Sequence, residues 1–294
     1  MKRVLKWAGI VLGGLPGIVL LFLAGSSIAS AQRLGRTYEV TADFNLTVPD
    51  DTASIAAGER QFAIMCAGCH GENLGGESFS DDALFGKIYS ANLTAGAGGL
   101  GSVYSDEDFA RAIWYGVKAD GSPTVGMPFE LNQALTVDEM ENLIAYIRSA
   151  PAVDSNHPEK EPGLLLGVIH VTNAFPLVTA ELVDLDAAPS QTVDAADVLA
   201  YGEHLAVWCT ACHGVDFAGM DMMGMTTPNI TAGESGIGSW TEEDFSRAVR
   251  EGLRPDGSVL DAEGMPWQEF SHFSDEEVHA IWTYLQSVEP VETE

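Results

Sequence analysis

FAIMCAGCHGENLGG, residues 62–76, carries two cysteines two residues apart with a histidine directly behind them. LAVWCTACHGVDFAG, residues 205–219, repeats the arrangement about 140 residues later. Cys66, Cys69, Cys209 and Cys212 are all four cysteines of the chain. Its cysteine chemistry is therefore confined to two copies of C-x-x-C-H.

The likeness continues outward from both motifs. AGERQFAIMCAGCHG (57–71) matches YGEHLAVWCTACHG (201–214), and ANLTAGAGGLGSVYSDEDFARAIWYG (91–116) matches PNITAGESGIGSWTEEDFSRAVREG (228–252). GMPFELNQALTVDEMENLIAYIRSAP (126–151) matches GMPWQEFSHFSDEEVHAIWTYLQSVEP (264–290). Order and spacing are kept, so one unit of about 95 residues is written twice. Each copy reads as three helices joined by glycine-rich loops. The first covers about Ala53–Met65 or Ala196–Trp208 and runs into C-x-x-C-H. The second begins at Ser105 or Thr241, each followed by the acidic residues that suit a helix N-terminus. The third begins with a capping box, Thr136 to Glu139 or Ser274 to Glu277. Met140, Leu143, Ile144 and Ile147 fall at i, i+3, i+4 and i+7, a buried stripe. No stretch sustains strand alternation, so the expected fold class is all-α.

The chain has 43 acidic and 14 basic residues, a net charge of −29 over 294 residues. Lys2, Arg3, Lys6, Arg33 and Arg36 flank an apolar stretch, which leaves 9 basic residues beyond position 36. Such a surface repels nucleic acid and anionic headgroups, and suits a partner with a basic docking patch as well as it suits plain solubility. WAGIVLGGLPGIVLLFLAGSSIASA (7–31) is uncharged over 25 residues. That exceeds the ~7–15 residues of a secretory signal and meets the ~20 that a spanning helix needs. A retained anchor is the first reading, and a signal peptide cleaved after Ala29-Ser30-Ala31 is the second. Both place the remainder outside the cytoplasm, and the leading basic cluster keeps the N-terminus inside. The expected organisation is an anchor or signal at 1–36, a first domain at 50–150, a linker at 151–195 and a second domain at 196–290. The linker carries five of the 13 prolines. Its apolar stretch GLLLGVIHV (163–171) is too short to span a bilayer and is expected to pack in the crevice between the two domains.

In an exported chain, C-x-x-C-H points to covalent haem attachment. Two thiols at this spacing can form thioethers to the two vinyl groups of one haem, and the next residue places an imidazole under the iron. Disulfides would leave both trailing histidines unexplained. A zinc site would draw C-x-x-C pairs together instead of giving each its own helical unit. A thioredoxin-like pair needs a βαβ context, which is missing here. The sixth iron ligand follows from what is left. Between His70 and His157 the first copy has no histidine, and Met65 and Met140 are taken up beside the attachment site and in the helical stripe. Met127 remains, before Pro128 and nine residues ahead of the cap Thr136; Met265 stands before Pro266 and nine ahead of Ser274. Met220, Met222, Met223 and Met225 read as crevice lining, and His272 and His279 as part of the final helical region. Asn92-Leu93-Thr94 and Asn229-Ile230-Thr231 fit a glycosylation pattern, but their recurrence at matching loop positions points to a structural turn. Tyr104 and Trp240 match as well, and serve either as donors to a haem propionate or as core.

Both copies resemble class I cytochromes c, and the whole resembles the membrane-anchored tandem dihaem cytochromes c of bacterial respiratory chains. The resemblance covers residues 53–150 and 196–288. It implies one haem c on Cys66 and Cys69 with iron ligands His70 and Met127, and a second on Cys209 and Cys212 with His213 and Met265. It also implies that the first and last helices of each domain cross at a small residue, Gly58 by Tyr146 and Gly202 by Tyr284. An iron closed by His and Met has a comparatively high potential and no vacant site. The expected role is one-electron transfer, without catalysis by this chain, on the outer face of the cytoplasmic membrane. The donor would be a quinol-oxidising or dehydrogenase complex, and the acceptor an oxidase or soluble carrier. The alternatives are a cytochrome subunit obligately bound to a dehydrogenase or terminal oxidase, and a dihaem peroxidase.

Overall fold

Helix α1 (Lys2–Leu34) takes up the uncharged N-terminal stretch in the computed structural model, which describes residues 2–82, 84–127, 129–157, 161–174, 177–222 and 225–292. The first repeat contributes α2 (Thr52–Met65), α3 (Ala67–His70), α4 (Asp106–Trp114), α5 (Phe129–Ala134) and α6 (Val137–Ser149). Helix α7 (Leu164–Thr172) and a 3-10 turn at Thr179–Glu181 lie between the repeats. The second repeat contributes α8 (Val198–His213), α9 (Glu242–Glu251), α10 (Trp267–Phe270) and α11 (Asp275–Ser287).

The helix starts follow from local chemistry. Ser105 with Asp108, Thr241 with Asp244 and Ser274 with Glu277 form reciprocal capping boxes. At α6 the Glu139 amide donates to Thr136 Oγ1, and the Thr136 amide donates to Glu139 Oε2. Each box satisfies two of the amides that a helix start leaves without partners. The α6 stripe is buried as its spacing requires: Met140, Leu143 and Ile144 are fully shielded.

Helices α2 and α6 pack together, as do α8 and α11. Glycine is what allows it. A Cβ on Gly58 would stand 1.9 Å from the Asn142 carbonyl oxygen and 3.0 Å from Tyr146 Cβ. On Gly202 it would stand 2.0 Å from the Ala280 oxygen and 2.8 Å from Tyr284 Cβ. Leu205, Ala206, Phe245, Val278, Ile281 and Leu285 form the core around the second crossing.

Short strands interrupt the helical pattern. β1 (Ser78–Asp82), β2 (Gly86–Tyr89) and β3 (Glu161–Pro162) form an antiparallel sheet, and β4 (Asp221–Met222) pairs with β5 (Met225–Thr226). Runs of two to five residues are shorter than the window in which alternation can be read.

Contacts gather the chain into two compact units: Met1–Asp43, Cys69–Phe129 and Ala150–Ala187 in one, and Phe44–Gly68, Glu130–Ser149 and Ala188–Glu294 in the other. Thus α2 and α6 of the first repeat belong with the whole second repeat. The second unit contains a reciprocal exchange of charges. Arg60 on α2 pairs with Glu277 at the start of α11, and His204 Nε2 on α8 lies 2.8 Å from Glu139 Oε1 at the start of α6. His204 stands two residues after Gly202 as Arg60 does after Gly58, and Glu139 matches Glu277. Each repeat therefore offers its first helix to the capping carboxylate of the other. In the first unit, α7 packs on α1, which corrects the expectation that this apolar stretch fills an inter-domain crevice. Gly167 on α7 comes close to Ser27 Cα, and Ser30 Oγ lies 2.9 Å from His170 Nδ1. Small residues on both helices permit that approach.

Candidate functional site

The two C-x-x-C-H motifs end the leading helix of their repeats in different ways. Helix α8 runs unbroken through Cys209, Cys212 and His213, whereas α2 stops at Met65 and Cys66 caps it with φ −120° before α3 resumes. Eight residues separate Gly58 from Cys66 but seven separate Gly202 from Cys209. On a continuous helix the extra residue would turn the motif by about 100° relative to the glycine crossing. In the first repeat α2 ends before Cys66, so the extra residue is not carried on one continuous helix.

Behind each motif one loop is built twice from the same hydrogen bonds. The Gly76 and Gly219 amides donate to the carbonyls of His70 and His213 at 2.9 and 2.8 Å. The Leu93 and Ile230 amides donate to Leu74 and Phe217, both buried and both held at left-handed φ, 60° and 58°. Ser90 Oγ and Thr227 Oγ1 donate to the carbonyls of Cys69 and Cys212 at 2.7 and 2.6 Å. No sequence cue had singled out those two hydroxyls, although the register of the repeats contains them.

The histidine rings are oriented the same way. His70 Nδ1 lies 3.0 Å from the Ala91 carbonyl oxygen, and His213 Nδ1 lies 2.8 Å from that of Pro228. A carbonyl can only accept, so Nδ1 carries the proton and Nε2 keeps the lone pair that an iron ligand must offer. Burial lowers the His213 pKa against the smaller raising effect of the Pro228 carbonyl, which keeps the ring neutral as ligation requires.

None of the four cysteines takes part in a disulfide. Burial, with a smaller contribution from Cys212, pushes the Cys209 thiol up to about 12, and burial raises Cys69 and Cys212 as well. A redox-active C-x-x-C needs the opposite shift. Among the described residues no three His, Cys, Asp or Glu side chains gather as a bare-metal site. The donor set fits covalent haem: two thiols at thioether spacing and an oriented imidazole in each copy.

Met127 and Met265 are both half-buried. The Met127 carbonyl accepts from Thr179 Oγ1 at 3.1 Å, while the Met265 amide donates to Asp261 and its side chain packs on the second core. Pro128 and Met223 lie outside the described residues, as do the side chains of Met222 and Met225; Met220 is exposed. His279 bonds Glu242 on the surface and His272 is exposed, so both belong to the final helical region as expected. Asn92 and Asn229 are buried, at 2% and 6% exposure, and cannot accept a glycan in the fold. Each closes an Asn-x-Thr turn and donates from Nδ2 to the chain beyond the last helix, Asn92 to Val153 and Asn229 to Val291. Trp240 packs on the second core, and the Tyr104 ring stands edge-on to Phe109.

Comparison with known proteins agrees with this geometry. Residues 55–151 match the cytochrome c family, and residues 197–285 match cytochrome c oxidase, cbb3-type, subunit III. The fructose dehydrogenase cytochrome subunit of Gluconobacter japonicus is 28% identical over 252 residues, covering 77% of this chain and 50% of that one. The alcohol dehydrogenase (quinone) cytochrome c subunit of Gluconacetobacter polyoxogenes is 26% identical over 262 residues, covering 77% and 54%. The gluconate 2-dehydrogenase cytochrome c subunit of Pantoea cypripedii is 26% identical over 260 residues, covering 76% and 56%. The chain thus spans about half the length of these relatives. Among the described residues one helical stretch, Gly14–Leu34, is long and apolar enough to cross a membrane. The chain is a c-type cytochrome, with two cytochrome c domains in tandem behind an apolar N-terminal helix.

Proposed function

We propose that this chain is the electron-transfer subunit of a membrane-bound dehydrogenase complex, with two haem c groups and its cytochrome domains on the outer face of the cytoplasmic membrane. The observation that carries the reading is the duplicated site, an oriented imidazole directly behind a C-x-x-C pair that forms no disulfide, in a chain whose relatives are named as dehydrogenase cytochrome subunits. Taken as a sequence alone, the chain reads first as a free-standing respiratory relay; the relatives favour the bound subunit.

Cys66 and Cys69 hold one haem and Cys209 and Cys212 the other, with His70 and Met127, and His213 and Met265, as iron ligands. When bound, each group supplies a one-electron couple. The protein fixes that couple: Ala91 and Pro228 orient the imidazoles, Ser90 and Thr227 hold the attachment turns, and the methionine sulfurs favour the reduced iron. Substrate oxidation takes place on another chain. The charge of −29 draws a basic patch on that partner or on an acceptor. The match of residues 197–285 to an oxidase subunit favours a second reading, assembly with a terminal oxidase.

Purification from detergent-solubilised membranes tests both readings. A dehydrogenase that co-purifies and reduces both haems with its own substrate supports the proposal. Recovery with an oxidase favours the second reading, and recovery of the cytochrome alone contradicts both.

A further inference from the structure

We propose that the β1–β2 turn and the first turn of α7 form a second, non-spanning contact with the bilayer, which sets the first cytochrome domain against the acyl-chain boundary beside α1. This rests on the membrane reading of α1.

The register of α1 and α7 carries the argument. Gly167 approaches Ser27, and His170 bonds Ser30, so partners are offset by a constant 140 residues and the two helices run parallel. Arg33 Nη1 then donates to the His170 carbonyl at 2.6 Å and pairs with Glu181, closing the polar end of the pair. The same offset places Leu164 level with Ala24. The uncharged stretch begins at Trp7, after Lys6. A hydrocarbon core of about 30 Å takes about 20 residues at 1.5 Å each, and so ends near Ser26. Leu164 therefore lies about 3 Å inside the boundary, shallower than the ~5–10 Å at which interfacial helices bury their apolar face and at the depth of a contact that does not span.

The composition of the neighbouring surface agrees. Helix α7, LLLGVIHVT, has no Asp, Glu, Lys or Arg. The turn is locked to its start, since the Gly163 amide donates to Phe85 O and the Leu165 amide to Leu84 O, both at 2.9 Å. Leu84 is 60% exposed, Leu164 47% and Phe85 39%, an apolar tip left open by the described residues. Behind the tip, Asp82 accepts from the Leu84 and Phe85 amides, and Lys87 pairs with Glu161. That polar rim suits headgroup depth. The tip is locked to the start of α7, and α7 packs on α1, so lipid is the occupant the register favours.

The test uses the full haem-loaded chain in nanodiscs of phosphatidylcholine with a diazirine on its acyl chain, followed by light and peptide mapping. Adducts are expected on residues 79–89 and 163–169 as well as on α1, at about tenfold the yield on Val215 and Val259, exposed apolar residues remote in sequence from both elements. Adducts confined to α1 would overturn the proposal and leave the anchor intact. Absence of adducts from α1 too would instead remove the membrane reading beneath it. If the tip is protected only when a dehydrogenase subunit co-purifies, while lipid adducts stay confined to α1 in the isolated chain, the surface belongs to a protein partner and the proposal fails.

Discussion

Replacing Gly202 with alanine sets two effects of opposite sign against each other. Intrinsic helix propensity favours alanine over glycine by about 1 kcal/mol, so a free-standing α8 would gain stability. In the fold the new Cβ meets the Ala280 carbonyl oxygen at 2.0 Å and Tyr284 Cβ at 2.8 Å. The oxygen belongs to the backbone of α11 and cannot swing aside like a side-chain tip. The helices must separate by about 1.4 Å to restore van der Waals distance. Overpacking of this kind costs about 1–3 kcal/mol, and a backbone clash lies at the upper end. The net expectation is about 2 kcal/mol of destabilisation, or a midpoint roughly 8–16 °C lower for a domain of this size. Thermal unfolding followed through the weak red absorption of Met-ligated ferric haem reads it. An unchanged or raised midpoint would refute the packing argument, because propensity alone would then decide the outcome.

Met127→Ala should remove about half of that red band and lower the potential of one haem while sparing the other, as read by redox titration. Asn229→Ala strands the buried Thr231 amide and removes the 2.6 Å donor to the half-buried Val291 carbonyl, so unfolding should become easier by about 1–3 kcal/mol in denaturant titration. Glu139 gives a signed pH dependence. Burial pushes its carboxyl up, but His204 and the Thr136 amide and hydroxyl outweigh this and hold it below the usual range. Its contribution is thus present above about pH 4.3, the unfolded value, and is lost as pH falls through the folded value. Glu139→Gln should cost about 1 kcal/mol at pH 7, with the difference from wild type vanishing in acid; a difference that grows toward low pH would contradict the assignment.

What could be read in advance was local or repeated. Capping boxes at Thr136 and Ser274 declare themselves within four residues, and C-x-x-C-H carries its spacing with it. Gly58 and Gly202 could be placed only through the family resemblance, since an open helical glycine and a crossing glycine look alike in one sequence. Asn92 and Asn229 were legible because duplication put an apparent surface motif at one buried position twice. The pairings Arg60 to Glu277 and His204 to Glu139 were not legible, because they join residues 217 and 65 apart whose contact depends on how helices pack. The same holds for α7: its apolar character announces burial, but only the tertiary register of Gly167 with Ser27 says against what. Thr179, whose hydroxyl holds the Met127 carbonyl, lies 52 residues away in a segment without a repeat counterpart to flag it.

Every functional statement rests on prosthetic groups fixed by thioether bonds at both motifs. The intact mass of the purified chain under denaturing conditions addresses this directly. The expected spectrum is a single species heavier than the polypeptide by two haems, with none lost on unfolding. A bare polypeptide, or a chain carrying one group, would contradict it.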